Sequence, residues 1–240
     1  MTMQTTQRAA ASLMAGAAAL AIAGFTALGS IFDYPKILKA PATEILDSYR
    51  QQQTPITGWF LALVISAALI APIGVLLGRI AGGALGTWIT GVGIAAAAVQ
   101  VLGLSRWPVL VPGFAADATS TDPATAAQGK DAFETAHRVL GNIIGESFGY
   151  LFTAAWTLLV LVALHRTLAG RWFTILGAGS ALLILTGLLS PLDLPLVDTA
   201  NFAGYVLWSL WLIAFGVLLL RRPRPAGASV AQGTLTAARG

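Results

Sequence analysis

The chain contains no cysteine, which excludes disulfides, thiolate metal sites and thiol nucleophiles. Histidine is nearly as scarce, with only His137 and His165, and neither sits in a paired-ligand spacing such as His-Glu-x-x-His. No Gly-x-Ser-x-Gly elbow surrounds any serine, and no nucleotide-binding loop occurs. Charge is sparse as well: Asp, Glu, Lys and Arg make up 10% of the 240 residues, against roughly a quarter in a soluble domain. These absences leave no enzyme class with a legible motif, and no cofactor or metal is expected.

What fills the space is apolar. Hydrophobic residues reach 56%, and six long runs cover approximately 9–31, 56–77, 83–104, 143–164, 172–189 and 202–220. About 20 residues rising 1.5 Å each cross a hydrocarbon core of roughly 30 Å. The runs lack the period-two alternation of barrel strands. They predict an all-α, polytopic transmembrane bundle of six spans over residues 1–222. The Pro- and Gly-containing tail, 223–240, is too polar to fold alone and is expected to be disordered in the cytoplasm.

Charge orients the bundle. With the N-terminus inside, the cytoplasmic face collects Arg8, Arg79, Arg166, Arg171, Arg221, Arg222, Arg224 and Arg239 and no acid. The outer face then holds all ten Asp and Glu residues together with Lys36, Lys39, Arg50, Arg106, Lys130 and Arg138. Positive loops stay inside, so both termini are expected in the cytoplasm. The net charge of +4 is spread over loops and tail and orients helices; it does not point to nucleic acid. The first run also admits a signal-peptide reading, given Arg8, Ala27 and Gly29. Its core of more than 20 residues is longer than the roughly 7–15 of a signal sequence, and either reading leaves the other five spans oriented alike.

Two outer segments are long, 32–55 and 105–142. In the first, Thr43 to Gln53 predicts a short helix with Thr43 as N-cap. Ile45, Leu46 and Tyr49 share its apolar face, which lies on the membrane surface or packs on the bundle. In the second, Pro108 and Pro112 followed by Ala, Thr, Asp and Gly read as a solvated loop up to Gly129. Lys130 to Asn142 reads as helix, with Glu134 and Arg138 spaced to pair. Trp59, Trp107, Trp172, Trp208 and Trp211 stand mostly near span ends, where indoles anchor at the headgroups.

The fourth and sixth spans open alike. Glu146, Gly149, Tyr150 and Trp156 match Asn201, Gly204, Tyr205 and Trp211 at a constant offset of 55 residues. A duplicated hairpin would produce this match, and so would the general placement of Tyr at interfaces and Gly at close helix contacts.

Glu146 is the sharpest candidate for function, because a carboxylate just inside a span is costly unless bonded, paired or hydrated. Asn142, Glu146, Tyr150, Thr153 and Thr157, at spacings of four, four, three and four, draw one polar stripe down a helix of 3.6 residues per turn. Gln100, Arg106 and Asn201 fall at similar depth, and Tyr205 belongs to the echo of Tyr150. The stripe is either an outward-open pocket or interhelical glue. His137 stands nine residues from Glu146, about 900° on a straight helix, so the two oppose each other unless Gly141 or Gly145 breaks it. Ser147 has no histidine on its face to serve as base.

Phe32-Asp33-Tyr34-Pro35 with Pro41-Ala42 and Glu44-Ile45-Leu46, Gln100 to Gly103 with Arg106-Trp107 and Val111-Pro112, Gly145-Glu146 with Gly149-Tyr150 and Trp156, and Asn201 with Gly204-Tyr205, Trp208 and Trp211 carry a resemblance. The chain resembles a bacterial family of multi-span membrane proteins described as a domain of unknown function, family 4386. The resemblance implies the fold and no activity; the family pattern often has His after the Glu, where this chain has Ser147. Residues and resemblance together support a non-enzymatic binder or carrier of a lipid or small amphiphile, using Glu146, Gln100, Arg106, Asn201, Asn142, Tyr150 and Tyr205. The alternatives are an intramembrane enzyme with Glu146 as acid or base, and a partner docking on another membrane protein through Gly141, Gly145 and Gly149.

Overall fold

A computed structural model of the chain describes residues 2–168 and 170–221, with side chains for all of these except 165–168. The His165 and Arg166 side chains and the 223–240 tail lie outside it. Six helical stretches are long and apolar enough to cross a membrane, Met3–Phe32, Gln53–Ala81, Gly83–Asp117, Pro123–Leu164, Arg171–Leu192 and Val197–Leu220. In hydrocarbon every backbone N–H and C=O must be satisfied within the segment, and these Leu-, Ala- and Val-rich runs satisfy them as helices. No strand occurs among the described residues.

In chain order the helices are α1 (Met3–Phe32), α2 (Ala42–Gln51), α3 (Gln53–Ala81), α4 (Gly83–Val109), α5 (Val111–Asp117), α6 (Pro123–Ala136), α7 (Gly149–Leu168), α8 (Arg171–Thr186) and α9 (Val197–Leu220). A π-helical stretch, His137–Phe148, joins α6 to α7, and 3-10 turns cover Lys36–Lys39 and Gly187–Leu192. Each span packs beside the next, and α1 closes the ring against α9. The α3–α4 turn is tight because Gly82 and Gly83 adopt φ of 69° and 57°, which side chains rarely tolerate. Large side chains such as Ile175 (67% exposed), Trp88 and Leu182 cover the outside, as in a bundle solvated by lipid.

A second apolar core sits at the connector end, where both long connections lie. Here two expectations are corrected and one open alternative is decided. The helix α2 begins at Ala42, with Pro41 and not Thr43 at its N-cap, because the Ile45 N–H already reaches the Pro41 carbonyl at 3.1 Å. Its Ile45, Leu46 and Tyr49 are fully buried against the bundle, so the helix is a packed cap. The 105–129 segment is largely helical. Pro108 falls in the last turn of α4, where it forfeits one i→i−4 bond just before the helix breaks at Leu110, and Pro112 lies near the start of α5, where a missing N–H is harmless. Trp107, Val111 and Ala115 then bury against Phe60, Tyr49 and Phe133.

Trp107, Trp208 and Trp211 are core residues and not interfacial anchors, whereas Trp59 and Trp172 are exposed. Trp107 stacks on Phe60 with ring centroids 4.6 Å apart. Glu134 and Arg138 are both exposed and form no ion pair.

The inner faces show that the echo between spans extends to their partners. The Trp156 indole lies on Gly93, where an added Cβ would come within 2.7 Å of its Nε1. Trp211 lies on Gly177 in the same way, also at 2.7 Å. Gly93 and Gly177 are 84 residues apart, and at that offset Gly86, Trp88, Thr90, Ala97, Gly103 and Leu104 recur as Gly170, Trp172, Thr174, Ala181, Gly187 and Leu188. Hairpin α4–α7 and hairpin α8–α9 pack alike at these positions. The first carries 29 more residues in its connection, the difference between the two offsets.

Candidate functional site at the connector end

The site is built where α4 meets the π-helical stretch. Gly103 and Gly145 face each other so closely that a Cβ on Gly103 would lie 2.5 Å from the Gly145 Cα. Only glycine permits such backbone approach. Three residues on, Arg106 folds back, and its Nη1 donates to the Gly103 carbonyl at 2.6 Å. Its guanidinium rests on Gly141, where a Cβ would meet Cζ at 2.9 Å, and lies 5.2 Å from the Trp107 ring centroid. Arg106 is only 4% exposed, and its Nε is buried without a hydrogen-bond partner. A guanidinium stays charged in a protein, so this is an enclosed positive charge with donors to spare.

Glu146 and His137 both lie near that charge. In an α-helix, nine residues would put them on opposite sides, but i→i+5 pairing gives a wider turn than i→i+4 and brings both round toward Arg106. The sequence held the signal in Gly141 and Gly145, the two residues at which the straight-helix reading fails. The His137 ring stacks on Phe133 with centroids 5.5 Å apart, and its Nδ1 is buried without a partner. Glu146 is half-buried and close enough to Arg106 to feel its charge. Yet among the described residues its carboxylate makes no ion pair and no hydrogen bond.

Tyrosines complete the enclosure. Tyr34 reaches in from the Asp33–Pro41 strap, stacked on Phe25 and edge-on to Phe60 at 5.3 Å. Its phenol is pushed up to about 12, first by burial and then by the Glu146 carboxylate, with Arg106 acting in the opposite sense. Neither Tyr34 nor His137 was among the sequence candidates for the pocket. Tyr150 lies within electrostatic reach of Glu146, Tyr205 and Tyr34, and its ring is 5.9 Å from that of Tyr205. The strap is latched across the top: the Lys39 ammonium pairs with Asp198 at 2.6 Å and Asp193 at 3.1 Å. The hydrogen bonds to Asp198 and then Asp193, with the charges of both carboxylates, raise the Lys39 midpoint.

The other candidates separate. Asn142 is exposed, turned off the stripe by the π-helical phase. Its carbonyl accepts from the Ser147 hydroxyl at 2.9 Å, which leaves that serine without a base. Gln100 donates to Thr153 at 2.9 Å, and Asn201 donates to the Ile184 carbonyl at 2.7 Å. Both are thus committed to holding helices together. Below them Thr157 donates to the Thr153 carbonyl and accepts from Trp208 Nε1, each at 2.8 Å. The polar column ends there, above the apolar layer of Trp156, Trp211, Phe173 and Phe215. The glycines expected to dock a partner are used internally, Gly141 on Arg106, Gly145 on Gly103 and Gly149 on Gln100.

Glu146 and Asn201 occupy equivalent positions in the two hairpin copies. Around them the copies agree: Gly149 packs on Gln100, and Gly204 packs on Ile184 at the matching place. The copies part at two points, where Asn201 is satisfied by a backbone carbonyl and Glu146 is not, and where Arg106 stands opposite Ser190. The two hairpins share this packing, and the Arg106 and Glu146 charges belong to the first.

These features define a membrane-embedded helical protein with a charged cluster, Arg106 and Glu146, at one end of its bundle. The chain belongs to the family described as Domain of unknown function (DUF4386), whose model matches residues 10–216. No curated protein and no solved structure matches it.

Proposed function

We propose that the protein is a non-enzymatic binder or carrier of a lipid or small amphiphile, with the Arg106–Glu146 cleft as its site. The observation that carries this reading is a buried guanidinium and a half-buried carboxylate that lie near each other without closing an ion pair. Buried charges are costly, and a purely structural pair repays that cost only through direct, well-hydrogen-bonded contact. Here the spare donors of Arg106 and the free carboxylate leave room for a third party. The polar column stops at Thr157 and Trp208, in keeping with a blind site and not an open conduit. The arrangement of basic residues favours N-in, C-in insertion in a bacterial plasma membrane, with the cleft at the outer end.

Native mass spectrometry of gently extracted protein tests the reading. Wild type is expected to carry a defined small molecule that Glu146→Ala and Arg106→Gln release while remaining folded. An equal complement of bound molecules in all three would overturn it.

A further inference from the structure

We infer that the ligand of this cleft is a zwitterion, with an oxyanion that takes the spare donors of Arg106 and a primary ammonium that takes the carboxylate of Glu146. The inference rests on the binding role proposed above and adds the ligand's chemistry. Arg106 uses one donor on Gly103, and its buried Nε has none of the partners that a guanidinium normally finds. A phosphate or carboxylate matches that planar fork. An anion alone would face Glu146 across the cleft and be repelled by it. A cation alone would face Arg106, and a neutral headgroup would leave both charges unmatched in a poorly solvated place.

A molecule with both signs a few bonds apart satisfies the two groups together. The choice of a primary ammonium follows from the acceptor. A carboxylate with no hydrogen-bond partner is best served by N–H donors, which a quaternary ammonium lacks. The phenol rings of Tyr34 and Tyr150, both near Glu146, supply aromatic faces and edges around a cation. The contrast within the duplication agrees: Asn201, at the position equivalent to Glu146, is already satisfied by a backbone carbonyl. That copy therefore has no free charge to offer a ligand. The same chemistry is shared by a phosphoethanolamine lipid headgroup and by a small dissolved zwitterion.

The test uses the full chain in nanodiscs of phosphatidylethanolamine, phosphatidylglycerol or phosphatidylcholine, with retained lipid counted by native mass spectrometry. Soluble phosphoethanolamine and glycerol phosphate serve as competitors. Wild type is expected to prefer the ethanolamine compound over the glycerol and choline ones by roughly tenfold, the size of one charge-assisted hydrogen bond. Glu146→Gln should erase that preference without loss of the glycerol lipid, and Arg106→Gln should release all of them. Retention of the diacyl lipid against soluble competitor assigns the headgroup as the source. Displacement by soluble phosphoethanolamine, with no lipid retained, assigns a dissolved solute; both results support the class.

Equal binding of ethanolamine and glycerol compounds by wild type, with release only in Arg106→Gln, would overturn the zwitterion and leave a binding site for anions. No ligand on wild type under any of these conditions would overturn the binding role as well. Because the wild-type competition needs no variant, the conclusion survives a variant that fails to fold.

Discussion

The Gly103 and Gly145 backbones touch where α4 crosses the π-helical stretch, and this contact sets the position of every charge in the cleft. A Cβ on Gly103 would fall 2.5 Å from the Gly145 Cα, and one on Gly145 would fall 2.9 Å from the Gly103 Cα. Arg106 hangs from the first glycine through its bond to the carbonyl, and Glu146 follows the second. Gly103→Ala and Gly145→Ala should each destabilise the bundle by about 1–3 kcal/mol through overpacking. Gly91, with nothing near its Cβ position, should accept Ala without loss. Thermal unfolding of the three variants in one detergent checks this, and a Gly103→Ala protein as stable as Gly91→Ala would refute the close contact.

The duplication makes a comparative prediction. Gly93 under Trp156 and Gly177 under Trp211 meet the same indole atom at the same distance, and both indole N–H groups are buried without a partner. Gly93→Ala and Gly177→Ala should therefore cost similar amounts, about 1–3 kcal/mol each, and both should shift tryptophan fluorescence. Gly179→Ala, two residues from Gly177 with open space at its Cβ, should do neither. A large loss at one glycine with none at the other would break the equivalence of the hairpins.

Much of the architecture was legible in composition. Span number and the all-helical class follow from the length of the apolar runs, because hydrocarbon permits few alternatives. The Tyr150, Thr153 and Thr157 stripe also followed from helical spacing beyond Gly149, where the helix is regular. Above it the spacing argument failed, since it assumed 3.6 residues per turn through a stretch that pairs i→i+5; Asn142 was placed inside and His137 outside for that single reason. The first segment beyond α4 was misread for another. Prolines mark a loop in water, but Pro112 occupies a first-turn position that needs no N–H, Pro108 gives up a single bond at the end of α4, and Trp107 gains burial by keeping the backbone helical. Tyr34 could not be found from spacing, because it arrives from a strap distant in sequence.

Tyr34 reports on the charge of Glu146. Its folded midpoint, near 12 against 10.0 for an ordinary phenol, means that the folded state holds the proton longer. Its contribution to stability is therefore complete below pH 10 and is lost as the pH rises toward 12. Glu146→Gln removes a neighbouring negative charge and should move the Tyr34 midpoint downward, while burial keeps it above the ordinary value. The tyrosinate absorbance difference between each protein and its Tyr34→Phe counterpart isolates this titration. An unmoved midpoint in Glu146→Gln would show that no carboxylate charge reaches the phenol.

The Lys39 latch separates closure of the strap from stability of the bundle. Lys39 bridges Asp193 and Asp198, but its side chain is 54% exposed and that of Asp198 is 49% exposed. Exposed pairs of this kind contribute about 0–1 kcal/mol, so Lys39→Met should leave the unfolding temperature almost unchanged. The strap has little else at that corner. Its backbone is tied to neighbouring elements where the Tyr34 N–H donates to the Leu28 carbonyl, where the Pro41 carbonyl accepts from the Ile45 N–H and at Leu38 beside His137; between them the Ile37, Leu38 and Ala40 N–H groups donate to the Asp33, Pro35 and Ile37 carbonyls. Hydrogen exchange at these amides should accelerate in Lys39→Met and Asp198→Asn, and in wild type at high salt, where exposed charges are screened. Asp33→Asn, which touches only the Lys36 pair at 3.4 Å, should leave Ala40 exchange unaltered. Faster exchange without loss of stability would identify the latch as the element that holds Tyr34 over the cleft; unchanged exchange would assign that role to the burial of Ile37 and Tyr34 alone.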